Sequence, residues 1–187
     1  MPRVSRLDIN IRRLQAQRAC LNLMAEQVRD LPGPVFELGL GNGRTYDHLR
    51  ELLPDREVFV FDREVAAHPD CIPDPAHLFL GDFQETLPRA VDRFAGTVAL
   101  IHADIGSANA ARDARLAGAV AGFLPALLRP GGLVAADRDV AFAGALAVPL
   151  PAAVAPGVYF IYRQAAGIEL PETGNARSGG IRAFRAP

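Results

Sequence analysis

The chain has 187 residues, half of them apolar, and a formal net charge of -1 at pH 7. This length predicts one domain that buries about 70% of its unfolded surface. The near-zero charge gives no reason to expect a nucleic-acid or membrane surface. All 20 cationic residues are arginine, which excludes chemistry through a lysine.

Two further features of composition indicate the compartment. No apolar stretch reaches the ~20 residues that a membrane-spanning helix needs. Cys20 and Cys71 are isolated, with neither metal-ligand spacing nor a disulfide framework. We therefore expect a cytoplasmic protein of bacterial type that does not bind a membrane.

The predicted elements alternate between helices and short apolar strands. An amphipathic helix precedes Pro32, and its regular spacing begins at Leu14. We interpret residues 1–30 as a helical cover of the domain, with a lid or wall of the substrate pocket as the alternative. Prolines within 66–76 argue against a long helix there. The predicted strands are 34–38, 57–61, 77–80, 97–102 and 133–136, and the predicted helices between them are 43–53, 85–94 and 108–122. This order indicates βαβ units and a parallel sheet with right-handed crossovers.

The pattern changes near the carboxyl end. A turn over 127–132 precedes the fifth strand, and two extended runs, 146–150 and 158–162, predict an antiparallel hairpin that closes the sheet. The tail 171–187 is rich in glycine and proline and is expected to be a loop or a partly ordered arm. With neither a repeat nor a linker in view, we predict one domain over 1–187.

The chain is organised around the turn after the first strand, where Gly39, Gly41 and Gly43 alternate with Leu40 and Asn42. Glycines allow a positive φ and let a ligand lie against the backbone. The following helix directs its free N–H groups at that ligand. Nicotinamide dinucleotides prefer G-x-G-x-x-G, whereas the spacing here is G-x-G-x-G.

Acidic residues stand at the ends of all five predicted parallel strands. In an open parallel sheet, ligands bind beyond the carboxyl ends of the strands. The position of Asp62, 23 residues beyond Gly39, suits the ribose of a nucleotide. Asp82 would lie near an adenine amino group, and Phe83 could pack on the ring. The five residues are Glu37, Asp62, Asp82, Asp104 and Asp137.

In this combination the chain resembles the class I S-adenosylmethionine-dependent methyltransferases, close to a small bacterial group that consists of little beyond the core domain. The residues that carry the resemblance are the run from Glu37 to Gly43, Asp62, Gly81-Asp82, and the turn Leu127–Gly132 before a strand. The resemblance covers about 33–163. It implies a three-layer, Rossmann-like α/β sandwich with a mostly parallel seven-stranded sheet, order 3-2-1-4-5-7-6, strand 7 antiparallel.

The resemblance also implies where the cofactor, S-adenosyl-L-methionine, would bind. It would lie over the glycine turn, with its methionine end near Glu37 and the tip of strand 4. Glu37 is expected to bond the glycine loop, or the cofactor ammonium group through water. The expected cofactor-binding residues are Glu37, Gly39, Leu40, Gly41, Asn42, Gly43, Asp62, Arg63, Asp82, Phe83 and His102.

Methyl transfer requires alignment of the acceptor and exclusion of water, and a hydroxyl or ammonium acceptor also needs a base. Asp104 and His102 are the predicted catalytic residues, with Asp137 and His48 as further candidates near the methyl group. His102 could instead be a satisfied core residue. Tyr46 and its neighbour Asp47 border the pocket or only cap the helix.

Alternatives remain open at this point. Metal-dependent relatives carry acidic residues at the tips of strands 4 and 5, but the Asp-Asn pair that usually follows is absent after Asp137, so we predict no metal. The expected acceptor is a small molecule rather than a nucleic acid, and a second copy of the chain could complete the pocket. The competing functions are a non-catalytic cofactor-binding or partner-binding protein and an NAD-dependent oxidoreductase.

Overall fold

The computed structural model describes residues 4–107 and 109–166, in which helices and strands alternate. The helices are α1 (Arg6–Gln27), α2 (Arg44–Leu52), α3 (Phe83–Phe94), α4 (Ala110–Ala121) and α5 (Leu124–Leu127). The strands are β1 (Val35–Leu38), β2 (Val58–Asp62), β3 (Leu78–Leu80), β4 (Val98–Ala103), β5 (Leu128–Ala136), β6 (Ala145–Ala147) and β7 (Phe160–Gln164). The predicted tail 171–187 lies outside the described residues.

The strands form one seven-stranded sheet in the order β3-β2-β1-β4-β5-β7-β6. Strands β1 to β5 pair in parallel, and β7 lies antiparallel between β5 and β6. The predicted fold is therefore confirmed, including the strand order and the antiparallel strand 7. Because β1 lies between β2 and β4, the order of the strands reverses beside β1, which is where an open sheet binds its ligands.

Alternation along the strands divides the core into two layers. In β1, Phe36 and Leu38 face the layer formed by α3, α4 and α5, while Val35 packs with α1 and α2. Successive side chains of a strand point to opposite faces, so Glu37 lies on the same face as Val35. The carboxylate is thus directed into the core beneath α1 and α2 and is fully buried.

Three boundaries differ from the prediction. The turn before strand 5 lies within β5, because Val98 pairs with Leu128 and Leu100 pairs with Leu133, which leaves extra residues of β5 as an irregularity in the ladder. The hairpin strands β6 and β7 lie at Ala145–Ala147 and Phe160–Gln164, shifted from the predicted 146–150 and 158–162. Pairing with β5 fixes this register, and a short apolar run carries no signal for it.

Helix α1 begins at Arg6, earlier than the regular spacing from Leu14 indicated. Ser5 caps it by accepting a hydrogen bond from the backbone N–H of Asp8 at 3.0 Å. Residues 4–15 are all exposed, and the first buried residue of the helix is Ala16. The amino-terminal half of α1 therefore projects beyond the sheet, towards its carboxyl edge. Among the described residues, no helix has the length and apolarity needed to cross a lipid bilayer.

The chain after α1 is anchored by the half-buried guanidinium of Arg56. It donates hydrogen bonds to four backbone carbonyls, at 2.6 to 3.0 Å. All four carbonyls lie in the segment between the end of α1 and the start of β1, so this single side chain connects that segment to the residues before β2. The four acceptors are the carbonyls of Val28, Arg29, Leu31 and Gly33.

Replacing Arg56 with glutamine should lower the free energy of unfolding by about 2–4 kcal/mol, because several charge-assisted hydrogen bonds are lost together. Arg29→Gln removes the same charge from an exposed side chain and should change stability by less than about 0.5 kcal/mol. Urea unfolding of both variants measures the difference. Equal stabilities would contradict the anchoring role of Arg56.

Candidate functional site

The glycine turn after β1 adopts the backbone conformation that its sequence predicts. Gly39, Gly41 and Gly43 have φ values of 92°, 49° and 85°, which L-residues with a side chain rarely adopt. A Cβ atom on Gly39 would lie 2.5 Å from the carbonyl oxygen of Asp104. A Cβ on Gly41 would meet nothing within 4 Å. Gly39 is therefore required for close packing of the turn on the end of β4, whereas Gly41 faces open space that a ligand can fill.

Asp62, at the end of β2, supports this turn. One carboxylate oxygen accepts the backbone N–H of Leu40 at 2.7 Å and that of Gly41 at 3.1 Å. The other oxygen accepts the N–H of Arg63 at 2.6 Å and that of Glu64 at 3.4 Å. The predicted ribose-binding carboxylate thus also holds the glycine turn in place.

A cavity of about 510 Å³ opens at the carboxyl edge of the sheet beside Gly39 and Gly41. This volume lies in the range of small-molecule sites. Asp62, Arg63, Asp82 and Phe83 line it, as predicted for a nucleoside pocket, together with residues that follow β4. The lining residues contributed by the β4–α4 region include Asp104, Ile105, Gly106, Ser107, Arg112, Arg115 and Leu116.

A second cavity of about 490 Å³ lies between α1 and the glycine turn. It shares Gly39, Gly41 and Asp104 with the first cavity, so the two meet at the end of β4. Predicted turn residues Leu40 and Asn42 line this second cavity. Asp104 is therefore at the junction, where a group bound in one cavity can approach a group bound in the other.

Two side chains from α1 hold Asp104. The Arg13 guanidinium donates to both carboxylate oxygens, at 2.5 and 2.6 Å, and the Gln17 amide donates to one of them at 2.7 Å. About 19% of the Asp104 side chain remains exposed. Sequence reasoning treated α1 as a cover and missed both residues; their spacing of four, on one helical face, is the signal that could have identified them.

Asp82 begins α3. Its carboxylate accepts the backbone N–H of Gln84 at 3.0 Å, which is the usual bond of a helix cap. Its other carboxylate oxygen makes no hydrogen bond within residues 4–107 and 109–166. Asp82 therefore both caps a helix and borders the first cavity.

His102 does not reach either cavity. It is fully buried in β4, with Nδ1 2.7 Å from a Glu37 carboxylate oxygen and Nε2 2.6 Å from the Tyr159 hydroxyl. Both ring nitrogens are occupied, so the prediction that His102 contacts the cofactor or acts as a base on the acceptor does not hold. The alternative of a satisfied core histidine describes its position. Tyr159, from the loop before β7, was missed by sequence reasoning.

Glu37 also differs from its expected role. Besides His102, its carboxylate accepts a hydrogen bond from the Thr45 hydroxyl at 2.5 Å. It is fully buried, and its hydrogen bonds within the described residues go to Thr45 and His102 rather than to the glycine loop. Glu37 instead fastens the first turn of α2 to β1, which positions the glycine turn between them.

The neighbouring carboxylate decides the charge of His102. Burial alone lowers the pKa of a histidine, but the charge and hydrogen bond of Glu37 raise the pKa of His102, and the net shift is upward. When the ring is protonated, it donates from Nδ1 to Glu37 and from Nε2 to Tyr159; when it is neutral, Nε2 accepts from the Tyr159 hydroxyl. Burial raises the pKa of Tyr159 well above its usual range, so the phenol stays neutral.

Asp137, at the end of β5, is committed to the loop after β4. Its carboxylate accepts the N–H groups of Ile105 and Gly106 at 3.1 to 3.2 Å and pairs with Arg138 at 3.1 Å. Burial, followed by the nearby charge of Asp104, raises its pKa. The carboxylate shapes the wall of the first cavity rather than entering it, which argues against the alternative of a base at this position.

Arg138 also holds the start of α4. It pairs with Asp113 at 2.9 Å, and Asp113 accepts hydrogen bonds from the N–H and hydroxyl of Ser107. The Ser107 hydroxyl and Arg138 lower the pKa of Asp113 to about 2. The β4–α4 loop is therefore fixed at both of its ends. Among residues 4–107 and 109–166, no group of three or more side chains has the composition of a metal site.

The remaining candidates lie on α2 and line neither of the two cavities. His48 donates a hydrogen bond from Nε2 to the amide oxygen of Asn22, at 2.7 Å, on the outer surface between α1 and α2. Tyr46 packs in the core beneath α1 and α2. Asp47 and His48 line a depression that adjoins the second cavity, with Gln17 and Thr45 among the residues that the two share. None of these three side chains lines either of the two cavities beside the glycine turn.

The wild type should have a larger free energy of unfolding than a His102→Gln variant at low pH, and this advantage should shrink as the pH rises. Because the pKa of His102 is higher in the folded state than in the unfolded state, its contribution is fully present below about pH 6.5, the ordinary histidine value, and is lost as the pH rises through the folded-state pKa. Urea unfolding across neutral and mildly alkaline pH measures this difference.

Tyr159→Phe is the matched control, because it removes one hydrogen bond and keeps the Glu37 carboxylate. It should cost about 1–3 kcal/mol while retaining the fall in stability with pH. If wild type and His102→Gln change in parallel with pH, the imidazolium assignment is wrong.

The chain matches known proteins over most of its length. Residues 4–164 match the model of a family described as S-adenosyl-L-methionine methyltransferase. A crystal structure of an S-adenosyl-L-methionine methyl transferase from Silicibacter pomeroyi DSS-3 is 45% identical, with a TM-score of 0.83, and the match covers 87% of this chain and 100% of that one. Among curated protein sequences, none matches.

More distant structures share the fold. Human methyltransferase-like protein 13, in complex with S-adenosylhomocysteine (SAH), is 11% identical with a TM-score of 0.55, covering 83% of both chains. A putative caffeoyl-CoA O-methyltransferase from Staphylococcus aureus is 14% identical with a TM-score of 0.50, covering 88% of this chain and 86% of that one. The fold, the glycine turn and the family match agree, and the chain belongs to the S-adenosyl-L-methionine-dependent methyltransferases.

Proposed function

We propose that the chain transfers the methyl group of S-adenosyl-L-methionine to a small-molecule acceptor at the junction beside Asp104. The observation that carries the proposal is the meeting of two cavities at Gly39, Gly41 and Asp104. In the first cavity, the wall formed by Asp62, Asp82 and Phe83 suits a nucleoside, and the wall formed by the β4–α4 region is left for the acceptor. The second cavity offers space for the methionine end. Methyl transfer needs two molecules in contact, and this arrangement supports it.

The residues of the first cavity fit the cofactor. The space beside Gly41, which a Cβ would fill, allows a nucleoside to lie against the turn. Asp62 is placed to accept from the ribose hydroxyls while it holds the N–H groups of Leu40 and Gly41. Phe83 and Ile105 supply apolar surface for the adenine, and Asp82 offers a carboxylate at the edge of the ring.

The reaction demands alignment more than acid–base chemistry. The cofactor, when bound, supplies an electrophilic methyl group on a sulfonium. The chain must hold the acceptor in line with that methyl group and exclude water, and such positioning is worth several kcal/mol of the barrier. The ends of β1 and β4, joined by the close contact of Gly39 with Asp104, provide a rigid support for this geometry.

Asp104 is the carboxylate that we assign to the acceptor or to the cofactor ammonium group. Arg13 and Gln17 already donate hydrogen bonds to its two oxygens, which fixes the direction from which the carboxylate can accept a further one. We therefore assign it the orientation of a hydroxyl or ammonium group, with removal of a proton as its second role. His102 acts only through Glu37, as a positioning residue for the turn.

We also propose a reducing, cytoplasmic location. Both cysteines are free thiols, which is usual in a reducing compartment. Burial raises the pKa of Cys20 to about 11, so this thiol stays protonated and serves as a packing residue of α1.

Calorimetric titration with S-adenosylmethionine, SAH and NADH tests the proposal first. We expect micromolar binding of the first two and none of NADH. Binding of NADH alone would overturn the assignment. Binding of the sulfonium cofactor without methyl transfer to any acceptor in a screen would favour a non-catalytic binding protein on the same fold.

Asp62→Ala should weaken SAH binding by about 10–100-fold, because charge-assisted hydrogen bonds to the ribose are lost. The fold should persist, since the carboxylate supports only the turn. Asp92→Ala removes an exposed carboxylate of α3 and should leave affinity unchanged. Unchanged affinity in Asp62→Ala would remove the ribose assignment.

A further inference from the structure

Arginine side chains surround the two cavities. Arg63, Arg112 and Arg115 line the first cavity, and Arg13 and Arg44 line the second. Arg112 and Arg115 are three residues apart on α4 and so share one face of that helix. Within residues 4–107 and 109–166, only Arg13 of these five guanidinium groups forms an ion pair or hydrogen bond.

Each carboxylate of the same cavities already accepts at least one hydrogen bond from the protein. Only Asp62, Asp82 and Asp104 contribute acidic side chains to the two linings. Asp62 is bound by backbone N–H groups, Asp82 caps α3, and Asp104 is bound by Arg13 and Gln17. The chain has 21 acidic residues and a net charge of -1, so this excess of uncommitted cationic groups is a local property of the site.

The cofactor does not explain these arginines. S-adenosylmethionine carries a sulfonium, an ammonium and one carboxylate, and therefore a net charge of +1. The cationic rim formed by these arginine side chains opposes the approach of a cationic molecule and attracts an anionic one. Guanidinium groups match carboxylate and phosphate oxygens with two parallel hydrogen bonds. The rim therefore suits the second substrate.

We propose that the methyl acceptor is a small polyanion, with carboxylate or phosphate groups bound by Arg112 and Arg115 and assisted by Arg63. This inference rests on the proposed function and names its substrate class. A bounded cavity of about 510 Å³ suits a small molecule, whereas nucleic acid requires an extended basic surface. Arg112 and Arg115 are specificity-determining residues in this assignment, since they bind the acceptor away from the transferred methyl group.

Two probes distinguish the sources of anionic charge: inorganic pyrophosphate for phosphate groups and tricarballylate for carboxylate groups. Each is titrated calorimetrically into the ligand-free protein and into the SAH-loaded protein, at low and at physiological salt. We expect at least one probe to bind the SAH-loaded protein, with an affinity that falls as salt screens the charges. The probe that binds more tightly identifies whether the acceptor carries phosphate or carboxylate groups.

The double variant Arg112→Gln/Arg115→Gln should bind the preferred probe about tenfold more weakly, which corresponds to about 1.4 kcal/mol. Its affinity for SAH should change by less than about twofold. The matched control is Arg12→Gln/Arg29→Gln, which removes the same charge from two exposed positions outside both cavities and should retain the affinity of the wild type for the probe.

Several results would overturn the proposal. The first is that neither probe binds the wild type. The second is that both double variants weaken binding equally. The third is that the probe displaces SAH and therefore occupies the cofactor site. A short single-stranded RNA that binds more tightly than pyrophosphate would assign a nucleic acid instead. Failure of SAH itself to bind would contradict the proposed function, and the titration of the ligand-free protein would still test the anion site.

Discussion

The site depends on one buried carboxylate. Glu37 is fully buried, and a charge in the interior is tolerated only when partners compensate it. Glu37 is the register partner of His102 in β4, so the two side chains leave the same face of neighbouring strands and meet there. With Thr45 on its other oxygen, Glu37 joins β1, β4 and α2, and the glycine turn is held between these three elements.

The contacts that begin with Glu37 and His102 continue across the strand order towards β7. His102 reaches the hydroxyl of Tyr159, which precedes β7. The position of β7 is fixed by its antiparallel pairing with β5. Polar contacts therefore cross the otherwise apolar layer beneath α1 and α2, and each buried polar atom among them has a partner. A network that is fully satisfied specifies one arrangement of the core.

The carboxyl edge of the sheet divides its acidic residues among different tasks. Asp62 and Asp82 hold a turn and a helix start while they border the first cavity. Asp137 fixes the loop after β4 from beneath, and Asp104 alone stands at the junction of the cavities. Equivalent positions at five strand ends thus differ in function because each carboxylate meets different neighbours.

Helix α1 has a larger part in the site than its place before the sheet indicates. Its carboxyl-terminal half packs in the core, while its exposed half carries Arg13 to Asp104. The contact spans 91 residues of sequence. It makes a covering helix into one wall of the second cavity, and it orients the Asp104 carboxylate.

The sequence by itself determined the order of the elements, the sheet topology through its family resemblance, and the glycine turn. These depend on local signals: apolar runs, the spacing of Gly39, Gly41 and Gly43, and acidic residues at strand ends. Asp62, Asp82 and Phe83 could be placed beside one cavity for the same reason, since strand ends in a parallel sheet share an edge.

Only the tertiary structure decided which side chains are free to act. A sequence gives the position of His102 on a strand but neither the face on which that side chain lies nor its partners, Glu37 and Tyr159. Burial and pairing depend on contacts between distant residues, and they removed His102 from the site while they brought Arg13 and Gln17 into it. The register of the terminal hairpin was decided in the same way, by pairing with β5 rather than by its own residues.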